Sequence, residues 1–158
     1  RAHNYTEAVR NADRTIADAR ADASLKAEAL YIKAKSYLST SRRDDAYAIF
    51  KELAEDVTTE YGAESAYLLI LDSYDKGQFA DVETKVYAFS DAGSGQVYWL
   101  AKSFIVLGDS FADRGEFKQA KATFESIRDE YTGSADGDDV LESVNLRLLK
   151  LDTMMNKN

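Results

Sequence analysis

The chain has 158 residues, 45% hydrophobic and 30% charged, with a formal net charge of −8 at pH 7, no proline and no cysteine. The lack of cysteine excludes disulfides, thiolate chemistry and cysteine-held zinc, and the acidic balance argues against a nucleic-acid backbone, whose binding needs clustered Lys and Arg. No run approaches the roughly 18–20 apolar residues of a membrane span, so direct membrane insertion is not expected.

Helix-favouring residues dominate from the first position onward. Residues 2–24 read as one helix, rich in alanine (Ala8, Ala12, Ala17, Ala19, Ala21, Ala23). Such a helix has strong propensity but a shallow apolar face, which makes it the least stable element expected here. Residues 25–61 hold two helices. Ser24 is the expected cap of the first, which places Leu30, Ala34 and Tyr37 on one face. The second follows the polar turn 39–43 and aligns Ala46, Phe50, Leu53 and Val57, with Gly62 as its expected left-handed cap. Residues 63–91 repeat the arrangement, with Ala66, Leu69, Ile70 and Tyr74 inward, a turn at Gly77, and then Val82, Val86 and Phe89. The segment 90–95 (SDAGSG) concentrates breakers and is the expected hinge.

Residues 96–131 give the sharpest pattern. Phe104, Leu107, Gly108 and Phe111 fall at spacings of 3, 1 and 3, Gly115 and Phe117 make a turn, and Ala120, Phe124 and Ile127 follow at 4 and 3. Trp99, just before the motif, is expected to be buried. An acidic turn then precedes residues 137–155, a final helix carrying Val140, Leu141, Val144, Leu148, Leu151 and Met155, with the character of a cap on the end of a stack.

One period underlies these segments. Ala8, Ala46, Val82 and Ala120 occupy one slot at steps of 38, 36 and 38 residues; Tyr5, Arg43, Phe79 and Phe117 stand three places before it, and Ala12, Phe50, Val86 and Phe124 four places after. The first copy has no preceding helix, so residues 2–24 read as the second helix of a cut repeat in a piece of a longer protein. The motif in 96–131 resembles the tetratricopeptide repeat (TPR), with Phe104 and Phe111 in its aromatic slots around Leu107-Gly108 and Ala120 four places before Phe124. The resemblance implies an all-α fold, a right-handed α-solenoid of about eight helices. Helix pairs bury their apolar faces on one another and leave one concave face.

Catalysis finds no constellation to support it. His3 is the single histidine and lies at the terminus; Gly93-Ser94-Gly95 lacks the lysine of a phosphate loop; Asp136, Asp138 and Asp139 do not have calcium-loop spacing and suit a helix N-terminus. No enzyme activity, cofactor or metal is expected. The resemblance instead implies a protein or peptide partner on the concave face, lined by the first helix of each repeat. The residues there would be Tyr31, Lys35 and Leu38, then Tyr67, Leu71 and Tyr74, then Lys102, Ile105, Asp109 and Asp113. The alternative is a structural, self-associating segment of a larger solenoid. Long repeats that end in tyrosine-rich segments are similar to those of bacterial cell-envelope TPR proteins, which leans the expected location toward the periplasm or outer membrane.

Overall fold

The computed structural model describes residues 2–133 and 137–157, with side chains from Asn4 onward. His3's side chain and Asp136 lie outside the described residues. Among the described residues eight helices run in order: α1 (Ala2–Ala17), α2 (Ala23–Ser39), α3 (Arg43–Leu53), α4 (Glu60–Asp75), α5 (Phe79–Asp91), α6 (Val97–Asp113), α7 (Phe117–Glu130) and α8 (Val140–Met155). Among the described residues there is no strand. The chain divides into two compact units, Arg1–Leu69 and Ile70–Asn158, with the boundary inside α4.

In the first unit α1 packs on α2 and α2 on α3. Ala34, Ala46, Ile49, Phe50 and Leu53 form the centre, with Leu30, Tyr37, Leu68 and Leu69 closing round it. The expected inward spacing of α3 holds up to Leu53, where the helix stops, so Val57 lies in the following turn and is half-buried. Two capping expectations are corrected. The side chain of Asp22, not Ser24, caps α2 by accepting from the Leu25 amide at 2.8 Å, and Ser24 lies within the helix. Gly62 does not end α3. It sits in the first turn of α4, where an added Cβ would lie 1.9 Å from the Asp56 carbonyl oxygen, so its small size serves close backbone approach.

In the second unit α5 packs on α6, α6 on α7, and α8 on both α7 and α6. Ile70, Val82, Val86, Leu107, Phe124, Val140 and Val144 are its largest fully buried apolar side chains. Gly108 has helical backbone, and a Cβ there would meet the Phe124 ring at 2.4 Å. The Leu-Gly of the motif thus brings α6 and α7 together. Trp99, expected inside, is half-buried beside Tyr98, with ring centroids 4.9 Å apart.

The turns that join α2 to α3, α4 to α5 and α6 to α7 share one geometry. Ser41, Gly77 and Gly115 have φ of 60°, 70° and 76°. The next amides, of Arg42, Gln78 and Glu116, reach back to the carbonyls of Tyr37, Ser73 and Phe111 at 2.8–2.9 Å. Together with the bonds from Ser41, Gly77 and Gly115 to Leu38, Tyr74 and Ala112, this is the Schellman arrangement. Glycine adopts it freely, whereas Ser41 carries a Cβ into a left-handed region that costs an L-residue roughly 1–2 kcal/mol. Ser41→Gly is therefore expected to raise stability by about 0.5–1 kcal/mol once glycine's greater unfolded-state freedom is subtracted. An unchanged or lowered denaturation midpoint would contradict this.

Candidate partner-binding surface

Four of the ten residues expected to face a partner, Tyr31, Tyr74, Lys102 and Asp109, bond a residue 33 to 39 places further along, close to one repeat. In the first unit, Tyr31 of α2 donates its hydroxyl to Glu64 Oε1 of α4 at 3.0 Å, and its ring lies 4.8 Å from that of Tyr61. Lys35 Nζ approaches the same carboxylate at 3.9 Å and lies 5.6 Å from the Tyr31 ring centroid. Leu38 packs against the α2–α3 core, and Tyr67 is half-buried.

In the second unit the same staple recurs with different chemistry. Tyr74 donates to Asp113 Oδ2 at 2.6 Å. Arg147 of α8 holds Asp109 of α6 with two parallel bonds, Nε to Oδ1 at 2.7 Å and Nη2 to Oδ2 at 2.8 Å. Planar bidentate pairing of this kind fixes orientation as well as supplying energy. Lys102 Nζ and the Tyr98 hydroxyl converge on Asp139 at 2.9 and 3.1 Å, at the N-terminus of α8, where a carboxylate also meets the helix dipole. Leu71 is half-buried. Ile105 is 5% exposed and belongs to the core, because the position one place beyond an inward residue on α6 still faces a packed neighbour.

These contacts perturb the tyrosines. Burial, then the Glu64 carboxylate, pushes Tyr31 up to about 12. Burial and Asp113 raise Tyr74 further. The Lys102 ammonium, then desolvation and the Tyr98 hydroxyl acting in opposite senses, leave Asp139 lowered. For Tyr31 the folded chain keeps its proton from pH 10, where the unfolded chain loses it, to about pH 12. Within that window the unfolded state binds fewer protons, so stability falls as pH rises; below it the contribution is intact. Tyr31→Phe is expected to flatten this alkaline loss. Equal slopes of unfolding free energy against pH in the two proteins would refute the assignment.

Grooves flank these pairs. One of about 330 Å³ lies between α6 and α8, floored by Phe124 and Leu151 and edged by Asp113, Arg147, Lys150 and Met154. A second, of about 480 Å³, lies over the N-terminal half of α6 between α5 and α7. A smaller one in the first unit, of about 210 Å³, joins Tyr5 and Val9 of α1 to Tyr37 and Arg42. Sequence reasoning missed Arg147 and Lys150 by treating α8 only as a cover. The repeat interval was the available signal, since Arg147 stands 38 residues beyond Asp109. Among the described residues no group of His, Cys, Asp and Glu is placed to hold a metal ion, and no helix is long and apolar enough to cross a membrane.

Paired helices with recurring turns, cross-linked one repeat apart and carrying open grooves, define an all-α helical-repeat protein of the TPR-like class. Residues 97–134, which contain α6, its turn and α7, match the family model described as tetratricopeptide repeat; this helix pair is similar to a tetratricopeptide repeat. The family is in general a non-enzymatic interaction module and points to protein partners. No curated protein and no solved structure matches the chain.

Proposed function

We propose that the chain is a protein-interaction module that binds a protein or peptide on the concave face expected of TPR-like helix pairs, in the second unit along α6 and α8. The observation that carries this reading is the α6–α8 groove. Its carboxylates are already committed to Arg147 and Tyr74, which makes a rigid wall beside exposed Lys150 and Met154. A wall ordered before binding lowers the entropy cost of association. The reading takes residues 25–61, 63–91 and 96–131 as three repeats, no nucleic acid as ligand, and the bacterial cell envelope as the place of action. Cell fractionation tests the last of these.

The decisive experiment is affinity capture from extract of the source cells with the wild-type chain and with Lys150→Glu. A protein retained by the first and lost by the second supports the proposal, provided both are folded by circular dichroism. Retention unaffected by the substitution counts against this groove. A second reading, self-association, is favoured by α8 itself, where Leu146 and Leu149 are 63% and 67% exposed. Light scattering decides that case: oligomers dispersed by Leu149→Glu would support it, and a monomer throughout would dismiss it.

A further inference from the structure

The larger groove of the second unit has a different character from the charged one. Leu100, Ala101, Phe104 and Leu107 line it from α6, Ile127 and Tyr131 flank it from the α7 side, and Tyr87 and Val97 stand at its edge, 46% and 53% exposed. Phe104 fills an aromatic slot of the motif yet remains half-buried, because the helices on either side leave this part of α6 uncovered. With 100° of turn per residue, the groove face of α6, centred near Phe104, lies roughly 140° around the helix from the face that carries Asp109.

The one charged side chain among the described residues lining the groove is acidic. α7 ends at Glu130, and the groove is lined by the final turns of α7 and the first turns of α6. The C-terminus of α7 carries about half a negative charge and Glu130 adds to it, while the N-terminus of α6 at Val97 brings the opposite partial charge to its own part of the groove. Glu130 is the one carboxylate among the lining residues, and no lysine or arginine is among them. Glu130 is held by the Ser126 hydroxyl at 3.0 Å, which fixes the acid at the rim. The groove thus combines an apolar floor with an anionic end.

We propose that this groove docks a basic amphipathic segment of a partner protein, with an apolar side chain seated over Phe104 and a Lys or Arg at the Glu130 end. The proposal rests on the reading of the chain as an interaction module but assigns it a second face and a class of ligand. Helix-in-groove recognition of this kind takes affinity from apolar anchors and selectivity from flanking charge.

The test uses the full 158-residue chain and a short fluorescein-labelled helical peptide with leucines along one face and lysines flanking them, followed by fluorescence anisotropy. Two control peptides replace the lysines by glutamate or the leucines by serine. The Leu/Lys peptide is expected to bind, to weaken with added salt, and to exceed both controls by about tenfold or more. Val97→Arg, at an exposed position that should not disturb folding, is expected to cost at least about tenfold, while Lys150→Glu in the other groove leaves binding unchanged. Equal binding of the glutamate peptide, or indifference to Val97→Arg, overturns the proposal. Loss on Lys150→Glu alone overturns it while leaving the α6–α8 reading in place. A dimer in light scattering that Val97→Arg dissociates would mean that a second copy is the occupant, and also overturns it.

Discussion

Phe124→Ala is expected to destabilise the Ile70–Asn158 unit by about 3–5 kcal/mol, the range for removing a buried phenylalanine. The ring is 1% exposed, and the position opposite it is Gly108, where a Cβ would come within 2.4 Å of the ring. That geometry argues for the upper part of the range. A cavity costs less when neighbours collapse into it, and Gly108 has no side chain to move. The same contact predicts that Gly108→Ala alone overpacks the interface, at about 1–3 kcal/mol. The two substitutions should be non-additive, because the new methyl enters the space the ring has left. A double-mutant cycle read by denaturant unfolding measures this coupling directly. A loss below about 1 kcal/mol for Phe124→Ala would mean that the α6–α7 contact is not a core contact at all.

The helix count was legible because two independent signals coincide in this chain. Apolar residues recur at 3 and 4, and glycines such as Gly77 and Gly115 stand where the φ of a helix-ending turn is positive. Gly62 shows where that logic fails. A glycine after a helical run reads as a cap, yet one that lets two backbones touch has the same sequence signature; only the tertiary position of the Asp56 carbonyl separates them. Ser24 was a plausible cap for the same local reason, and Asp22 does the work two residues earlier because its carboxylate reaches the Leu25 amide.

The candidate surface was less legible. Tyr31 and Tyr74 read as groove aromatics, but their hydroxyls are committed to Glu64 and Asp113, partners that no local pattern can supply. Ile105 followed the same positional rule and is buried, since α6 is packed against α5, α7 and α8. The groove at Tyr87 and Val97 left almost no trace in the sequence. It arises from how α5 and α7 are set on α6, which no single helix encodes.

Gly62→Ala is expected to destabilise the first unit by about 3 kcal/mol, near the top of the range for overpacked sites. In an unconstrained helix interior the same change stabilises by about 1 kcal/mol, so the sign of the effect is itself the test. A Cβ at position 62 would lie 1.9 Å from the Asp56 carbonyl oxygen and 2.7 Å from that of Leu53, and backbone atoms cannot swing aside as a side chain does. The turn between α3 and α4 is also tied down. Thr59 Oγ1 donates to the Asp56 carbonyl at 3.0 Å and accepts from the Gly62 amide at 3.0 Å, while the Asp56 carboxylate accepts from the Thr58 amide at 3.1 Å. Moving the carbonyl away would break that set and free the N-terminus of α4, which then no longer holds Glu64 against Tyr31. Chemical denaturation should therefore show a lower midpoint for Gly62→Ala, together with a Tyr31 that titrates closer to its ordinary value. A midpoint raised by the substitution would show that the two backbones do not approach each other in solution.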